Sequence, residues 1–421
     1  GSTVDGAKTL TLSSGAGAIT VTGDIGAGTA LTALTINAQD SETSSGKITI
    51  NDIGDADAGG VGTGVTKIGN TSTTEIEFTG ALYRTDTAAT YTTKSAATDG
   101  NGNFDVTAAA TFQTSADART FGTGTVELAD GANLTITTAG GATSIGAIRG
   151  TSAEDVTINV GASTLSVGAV GNAAEIGDIA YTATTVTLTG DQITSADQGG
   201  GSGSDTGTFS ITGATVISGD VTVDTDVTTG SGTNEDGTLA FSSTIVGAGG
   251  TDNLTINSGS GAITLSGTIG VSAPLDALSI NASGGAAALS IPQIGTGTAV
   301  GNAGTNGAVA IGNSASQSVT LSAAGYKFGG GTTTITSGGH VITAANAKIF
   351  TDGNITLDPA NASQLKTTGA FAITATTADD TINIAGDILG VDDTSNETIT
   401  LQAGATNGTS GGTITIGGNI G

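Results

Sequence analysis

The sequence contains a single histidine, His340, and no cysteine, so hydroxyls and carboxylates are the remaining groups that could do chemistry. A nucleophilic triad needs a base held beside a hydroxyl. Serine and aspartate are so frequent here that their nearness to His340 in sequence selects no triad. A zinc site is also unsupported, because such sites are built from several His and Cys ligands. We predict that His340 is a solvated side chain on an outer surface and that the chain has no catalytic residues.

One stretch begins like a calcium-binding motif. Residues 200–205, Gly-Gly-Ser-Gly-Ser-Asp, match the start of the calcium-binding nonapeptide of stacked repeat proteins. The position that should be apolar is Gly207, and the motif occurs once, whereas those proteins stack many copies. We predict a polar turn and keep Asp205 as a weak calcium candidate.

A second stretch has the first ligand spacings of an EF-hand loop, at Asp99, Asn101 and Asn103. Phe104 stands where that loop needs glycine, and Ala110 stands where it needs a bidentate glutamate. The sequence again favours a polar turn, with these three residues as weak calcium candidates.

A third group of carboxylates lies within one alternating stretch. Asp220, Asp224 and Asp226 share one parity, so in a strand they would face the same side. Neighbouring carboxylates can share a cation, but they serve equally well as a soluble surface, which is the interpretation we favour. Asp220 and Asp224 complete the calcium candidates, and we predict no other cofactor.

The apolar residues indicate which elements would position these groups. Residues 254–270 contain Leu-Thr-Ile and Ile-Thr-Leu, separated by Gly and Ser and followed by a third apolar residue, Ile269. Alternation with a period of two predicts short strands, because successive side chains of a strand point to opposite faces. Three such strands joined by glycine turns form a coil that is stable only when similar coils stack on it.

Similar coils recur along the chain. The stretch that starts at Leu10 matches the one at Leu254 without a gap, at an offset of 254 − 10 = 244. A third copy starts at Phe371 and continues to Gly421. The apolar triplets recur every ~22–33 residues, so a short coil is nested within a long repeat.

The composition supports this interpretation, with 71 Gly, 3 Pro and 3% aromatic residues. A compact core of this size uses larger side chains, whereas here Ile, Val, Leu and Ala are spread evenly along the chain. Disordered linkers lack such alternation. We predict an all-β fold, a parallel β-helix (β-solenoid) of about 15–19 coils.

The long repeat predicts three segments, 1–243, 244–370 and 371–421, that form one continuous solenoid body. The segment 83–121 is less regular and is predicted to form irregular coils or an inserted loop. It is richer than the rest of the chain in aromatic and cationic residues, namely Tyr83, Arg84, Tyr91, Lys94, Phe104, Phe112, Arg119 and Phe121.

Asparagine directly follows a predicted strand at six positions. This residue tolerates the left-handed conformation that a tight corner needs, and stacked amides can bond to each other along a column. We predict structural corner residues at Asn37, Asn51, Asn159, Asn257, Asn281 and Asn383.

The net charge of −27 argues against a nucleic-acid partner, because the ten Lys and Arg residues are scattered rather than clustered. No apolar run approaches the ~20 residues of a membrane span. The lack of cysteine is compatible with export. The chain starts at Gly and contains no Met, so we expect a processed product or an excerpt of a longer chain.

The pattern Leu-Thr-Ile-Asn, followed by Gly-x-Ile-Thr-Leu-x-Gly-x-Ile-Gly, resembles the repeats of filamentous-haemagglutinin-type and autotransporter-type surface proteins of Gram-negative bacteria. The resemblance covers nearly the whole chain. It implies a long, right-handed β-helix that is exported and displayed at the bacterial cell surface. The family has no catalytic residues to carry over.

Three functions compete at this point. The leading hypothesis is an extracellular structural β-solenoid that builds a filament, stalk, sheath or surface coat by self-association. The first alternative is an adhesin that binds glycans or host surfaces through 83–121. The second is a polysaccharide-active enzyme, which would need carboxylates, a cation and aromatic platforms on one outer face. Only 83–121 has such a mixture, and Arg84 and Arg119 have no obvious acidic partners in sequence.

Overall fold

The computed structural model describes residues 3–38, 45–56, 59–94, 103–151, 154–171, 176–194, 207–226, 237–282, 285–359, 364–390, 398–404 and 411–421. These residues form strands and turns and contain no helix, so the prediction of an all-β fold is confirmed. No helix of the described residues is therefore long and apolar enough to cross a membrane. The chain divides into two compact units, Gly1–Thr212 (unit 1) and Gly213–Gly421 (unit 2). The division falls before position 244, where the second long repeat is predicted to start.

Unit 1 contains the first nineteen strands and the start of the twentieth. In chain order these are β1 (Thr9–Leu12), β2 (Ile19–Val21), β3 (Ala33–Ile36), β4 (Ile48–Ile50), β5 (Thr66–Ile68), β6 (Glu75–Phe78), β7 (Leu82–Thr85), β8 (Ala89–Tyr91), β9 (Asn103–Val106), β10 (Ala110–Thr114), β11 (Arg119–Phe121), β12 (Val126–Leu128), β13 (Leu134–Thr137), β14 (Thr143–Ile145), β15 (Ile148–Arg149), β16 (Val156–Asn159), β17 (Thr164–Val167), β18 (Ile179–Leu188), β19 (Gln192–Ile193) and β20 (Phe209–Ile217).

Unit 2 contains the end of β20 and the remaining strands. In chain order these are β21 (Asp220–Asp224), β22 (Leu239–Phe241), β23 (Ile245–Gly247), β24 (Asn253–Asn257), β25 (Ile263–Leu265), β26 (Ala277–Ile280), β27 (Leu289–Ile291), β28 (Val309–Ile311), β29 (Ser318–Leu321), β30 (Gly325–Phe328), β31 (Thr333–Ser337), β32 (His340–Thr343), β33 (Lys348–Thr351), β34 (Ile355–Pro359), β35 (Gln364–Thr367), β36 (Phe371–Ala375), β37 (Thr381–Ile384), β38 (Asp387–Gly390), β39 (Ile399–Gln402) and β40 (Thr413–Ile416).

The strands of unit 1 pair in three parallel ladders. Ladder A joins β1, β3, β5, β8, β11, β14, β17 and the second half of β18. Ladder B joins β2, β4, β6, β9, β12 and β15. Ladder C joins β7, β10, β13, β16 and the first half of β18. The chain visits A, B and C in turn and then returns to A, so one circuit forms one coil.

Unit 2 repeats this arrangement with its own ladders. Ladder D joins β21, β24, β26, β28, β31, β34, β37 and β40. Ladder E joins β27, β29, β32, β35 and β38, and ladder F joins β30, β33, β36 and β39. Earlier in the unit, β22 pairs with β25 and the end of β20 pairs with β23. Both units are therefore solenoid-like stacks of parallel coils.

The length of a coil differs among the coils of the two units, as the paired residues show. Thr164 pairs with Thr185 across a short coil, whereas Asp220 pairs with Asn253 across a long one. The turns between strands absorb this variation, because only the strands must stay in register. The coil length therefore agrees closely with the spacing of the apolar triplets in the sequence.

The core of each unit consists of columns of aliphatic side chains. In β13, Leu134 and Ile136 are buried while Thr135 is half-buried, as period-two alternation requires. Leu134 lies in register with Val156, which is in register with Ile179, and all three are buried. Each such side chain contributes ~1.5–3 kcal/mol on burial. Many thin layers of this kind replace a single large core.

The segment 83–121 belongs to the ladders, which excludes the predicted inserted loop for its described part. Strands β7 to β11 lie in ladders A, B and C in register with their neighbours. Its aromatic side chains point inward and are almost fully buried, namely Tyr83, Tyr91, Phe104, Phe112 and Phe121. Large aromatic side chains fill the core here rather than forming an external platform, and the weak sequence pattern reflects this change of side-chain size. Residues 95–102 lie outside the described part.

The same contacts recur in corresponding coils of the two units. The Tyr83 hydroxyl donates to the carbonyl of Ile50 at 3.2 Å, and the Tyr326 hydroxyl donates to that of Ile291 at 2.8 Å. The offset between the two tyrosines, 326 − 83 = 243, is that of the long repeat in this part of the sequence. Each hydroxyl also accepts a backbone N–H from earlier in the chain, Gly80 at 2.8 Å and Ala323 at 2.9 Å. The long repeat found in the sequence is thus also a repeat of hydrogen bonds.

Two glycines show how closely neighbouring coils approach in both repeats. Gly26 and Gly270 have φ values of 70° and 68°. A Cβ on Gly26 would lie 2.2 Å from the carbonyl oxygen of Gly60, and one on Gly270 would lie 2.0 Å from that of Gly304. Glycine is required at these positions by conformation and by space together.

Candidate functional sites

The outer face of ladder B carries a column of charged side chains. Successive coils place four of them in direct register, in the order Glu77, Asp105, Glu127 and Arg149, and the uncharged Thr49 of the preceding coil pairs with Glu77. Neighbouring strands are ~4.8 Å apart, so these side chains lie next to one another along the column. We call this group, together with Lys47 and Glu75 beside it, the charged column.

Cations compensate both ends of the charged column. Lys47 Nζ lies 2.6 Å from Glu75 Oε1 and 3.1 Å from Glu77 Oε1. At the other end, Arg149 Nη2 lies 3.3 Å from Glu127 Oε1. The pKa of Lys47 is raised, because its hydrogen bonds to the two glutamates outweigh the larger single effect of burial, which lowers it. These exposed pairs contribute modestly to stability.

Asp105, at the centre of the column, has an unusual protonation equilibrium. Partial burial, followed by a hydrogen bond with Glu75 and repulsion from Glu75 and Glu127, raises the pKa of Asp105 to about 7. Near neutral pH, Asp105 is therefore partly protonated and forms a hydrogen bond with Glu75. A carboxyl that titrates near neutral pH can act as a proton donor in one form and as a proton acceptor in the other.

Sequence reasoning missed the charged column. Its carboxylates are far apart along the chain, because Glu77, Asp105 and Glu127 are each separated by a whole coil. Alignment of the coils on their apolar triplets would have found them, because buried neighbours in the same strands mark the register, namely Ile76, Phe104 and Val126.

Arg119 is the second charged group that the coil stack places unexpectedly. Its side chain is fully buried, and its guanidinium lies 5.6 Å from the ring centroid of Tyr91 and 5.5 Å from that of Phe112. It donates to the Tyr91 hydroxyl, to the carbonyl of Tyr83 at 3.1 Å and to that of Gln113 at 2.8 Å. Burial lowers the pKa of Arg119, although its contact with Tyr91 opposes this effect. Among the described residues no carboxylate forms an ion pair with Arg119, which therefore acts inside the core rather than on a ligand-binding surface.

The calcium candidates are only partly described. Asp99, Asn101 and Asp205 lie outside the described residues, and Asn103 is buried in β9. Asp220 Oδ1 accepts a hydrogen bond from Asn253 Nδ2 at 2.6 Å, and Asp224 Oδ1 accepts one from Asn257 Nδ2 at 3.3 Å. Within the described ranges, no group of three or more His, Cys, Asp or Glu side chains is arranged to hold a metal ion.

Two of the predicted corner asparagines adopt the left-handed conformation. Asn37 has a φ of 44° and Asn281 a φ of 48°, and both are fully buried. Asn37 Oδ1 accepts from the Ser14 N–H at 2.9 Å, and Asn281 Oδ1 accepts from the Ser258 N–H at 3.1 Å. Each side chain thus links its corner to the preceding coil.

The remaining asparagines behave differently. Asn51 follows β4 and donates to Asp24 Oδ1 at 2.8 Å, whereas Asn159 and Asn257 are the last residues of β16 and β24. Asn383 lies inside β37 with Ile384 still to follow, and it pairs with Thr356 and Thr415. The corner prediction is wrong for Asn383, because the strand continues past it.

Another column of polar side chains, just before strands of ladder C, was not predicted. Asn133 Oδ1 accepts from the Asp155 N–H at 2.9 Å, and Asp155 Oδ1 accepts from the Asp178 N–H at 3.0 Å. Asp178 Oδ1 in turn accepts from the Thr208 N–H at 2.7 Å. Each carboxylate or amide oxygen accepts a hydrogen bond from a backbone N–H of the next coil, so these residues have a structural role.

His340 begins β32 on the outer face of ladder E. Its Nδ1 accepts the backbone N–H of Gln364, which lies in the next coil, at 3.3 Å. Burial, with a smaller effect of nearby Lys366, lowers the pKa of His340. The imidazole is therefore neutral near pH 7 and participates in a bond between coils.

Comparison of the chain with protein-family models, with curated proteins and with solved structures gives no match.

Proposed function

We propose that this protein is an extracellular structural β-solenoid of a bacterial cell surface, which builds a filament, stalk, sheath or coat. The observation that carries the proposal is the recurrence of the same contacts between coils in both units, including the Tyr83 and Tyr326 hydrogen bonds. Such a stack gives length and regularity in proportion to the number of coils. We further propose that the coils are right-handed, because β-crossover-β connections between parallel strands are right-handed in ~98% of cases.

The location is the part of this proposal that needs a direct test. Antibodies raised against the chain should label intact cells of the producing organism in immunogold electron microscopy, along extended surface structures. A secreted surface protein needs no permeabilisation to be labelled. Labelling that appears only after the cells are permeabilised would rule out the proposed location.

The charged column supports one second candidate, a polysaccharide-active enzyme. Asp105 and Glu75 would act as proton donor and acceptor, with Lys47 and Arg149 as the nearby cations. Incubation with a panel of acidic and neutral polysaccharides tests this candidate. Release of sugar products that disappears with Asp105→Asn would support it, and no release from the panel would remove it.

The aromatic residues bear on the adhesin alternative. Aromatic side chains that bind sugars must be accessible, but the rings between Tyr83 and Phe121 are inside the core. We therefore do not propose that these rings form a glycan-binding surface.

A further inference from the structure

The core of unit 1 encloses a positive charge. Arg119 is the first residue of β11, where buried side chains alternate with a half-buried one, and its own side chain is 0% exposed. An arginine in a protein keeps its charge, and a charge taken out of water is costly unless an opposite charge lies beside it. The ion pairs of the described residues include none with Arg119. The charge of this guanidinium therefore needs compensation from another source.

The aromatic neighbours of Arg119 compensate only part of this charge. The rings of Tyr91 and Phe112 have their centroids 5.6 Å and 5.5 Å from the central carbon of the guanidinium, which gives a cation–π attraction. Burial raises the pKa of the Tyr91 hydroxyl, and the contact with Arg119 offsets this effect only in part. The hydroxyl is therefore neutral near pH 7 and supplies a hydrogen bond but no negative charge.

The hydrogen bonds of the Arg119 guanidinium leave its Nε without a partner. A guanidinium has five N–H donors. The two Nη atoms donate to the Tyr91 hydroxyl and to the carbonyls of Tyr83 and Gln113. Nε is buried and has no hydrogen-bond partner among the described residues. A bound water or ion is a common partner for a buried donor of this kind.

The next coil places a second unpartnered donor in the same column. Thr143 of β14 is the register partner of Arg119, and both side chains are buried. Adjacent strands are ~4.8 Å apart, so the two side chains lie in adjacent layers of the core. Within the described part of the chain, the Oγ1 of Thr143 also has no hydrogen-bond partner. Thr143 lines an open cavity of about 230 Å³ together with the outward-facing Thr120 and Ser144, so solvent reaches this part of ladder A.

We propose that Arg119 Nε and Thr143 Oγ1 bind a small monovalent anion of the size of chloride. A single negative charge neutralises one guanidinium, and a halide accepts hydrogen bonds from both the N–H and the O–H. A water molecule accepts the same bonds but leaves the charge uncompensated. The chain carries a net charge of −27, which repels anions, so the affinity has to come from these local donors. The anion links the coil of β11 to that of β14.

Thermal unfolding of the full chain at a fixed sodium concentration tests the proposal. Chloride is exchanged stepwise for gluconate, an anion too large for the core, so the ionic strength stays constant. A ligand that binds only the folded state stabilises that state. The unfolding midpoint of the wild-type protein should therefore rise by roughly 3–6 °C for each tenfold increase in chloride above its dissociation constant.

The variant Thr143→Val tests the site itself, because valine has nearly the same shape and lacks the hydroxyl. Loss of one hydrogen bond to the anion should move the chloride response to roughly tenfold higher concentrations. Thr66→Val is the matched control. The Thr66 Oγ1 is likewise buried and without a partner among the described residues, but the coil of Ala89 separates it from Arg119. This control should keep the wild-type response to chloride.

The outcomes decide between an anion and a water molecule. A wild-type midpoint that is the same in chloride and in gluconate would overturn the proposal, since a water at Nε does not respond to the anion in the buffer. A chloride response that Thr143→Val leaves at the wild-type concentration, or that Thr66→Val shifts equally, would place the anion elsewhere and also overturn it.

Crystals of the wild-type chain grown in sodium bromide give a second test that needs no variant. Bromide is a heavier halide whose anomalous scattering marks its position. A peak within hydrogen-bond distance of Arg119 Nε and Thr143 Oγ1 is the expected result. Ordered density for both side chains with no such peak beside them would refute the anion site, whatever the variants show.

Discussion

At the scale of single residues, the coil stack gives Asp105 an environment that its sequence neighbours do not provide. Its carboxyl lies between Glu77 and Glu127 of the adjacent coils and forms a hydrogen bond with Glu75. Partial burial, with the Glu75 hydrogen bond and repulsion from Glu75 and Glu127, favours the neutral form of the Asp105 carboxyl. Protonation of this site is therefore linked to the stability of unit 1.

The stability of unit 1 should depend on pH through Asp105. The pKa of this carboxyl in the folded state, about 7, lies above its ordinary value of 3.8. The stabilisation by neutral Asp105 is fully present below about pH 4 and is lost as the pH rises through 7. Its size is on the order of 1–2 kcal/mol, since the side chain is partly exposed and solvent screens the interaction. Thermal melts between pH 4 and 8 measure this trend.

The variant Asp105→Asn should flatten the trend, because an amide cannot ionise. Asp117→Asn is the matched control at an exposed turn in the same unit and should keep the wild-type slope. An unchanged slope in Asp105→Asn would show that other groups produce the pH dependence.

The sequence predicted some of these residues and missed others for identifiable reasons. Asn37 and Asn281 were predictable, because Asn after an alternating triplet suits a left-handed corner. Asn383 follows the same pattern but lies in mid-strand, since Ile384 extends the alternation by one residue. The charged column required the register between coils of unequal length, which local sequence does not contain.

At the scale of elements, the strands could be predicted from the sequence, because every coil needs strands in which buried apolar residues alternate with outward-facing ones. Alternating Ile, Val, Leu and Thr predicted triplets such as Leu254–Ile256, which lie in ladders with their apolar members buried. The strands of the aromatic segment were harder to predict. Tyr83 and Phe112 are aromatic where other coils have aliphatic residues, although they also point inward. Large rings in a thin core resemble an insertion when only composition is considered.

The two equivalent tyrosines predict equal effects in the two units. Tyr83→Phe removes the partner of the Gly80 N–H and the donor to the Ile50 carbonyl, and Tyr326→Phe does the same to Ala323 and Ile291. Each substitution should cost ~1–3 kcal/mol, because buried polar groups lose their partners. Denaturant unfolding measures both values. A large cost in one variant with none in the other would contradict their equivalence.

Corner and strand asparagines should differ in their sensitivity to substitution. Asn281→Ala places an alanine at a φ of 48° and removes the bonds to Ser258 and Gly259, so a loss of ~2–3 kcal/mol is expected. Asn383→Ala is the control within β37, where the side chain faces outward, and should cost less than ~1 kcal/mol. Equal costs measured by thermal unfolding would argue against the corner assignment.

At the scale of the whole molecule, each unit is a stack of parallel coils whose stability comes from contacts between neighbouring coils. This design explains the composition, because glycine makes the close corners while short aliphatic residues fill a thin core. Repetition of one contact is the basis of both the fold and the proposed structural role.

The register between coils is the central claim, and disulfide formation measures it directly. Thr135 of β13 pairs with Thr157 of β16, both on the outer face of ladder C. Thr135→Cys with Thr157→Cys should therefore form an intramolecular disulfide rapidly under mild oxidation, read as a mass shift by non-reducing peptide mapping. Thr135→Cys with Asn159→Cys, which is out of register, should cross-link far more slowly. Equal rates for the two pairs, or faster linkage of the out-of-register pair, would contradict the coil stack.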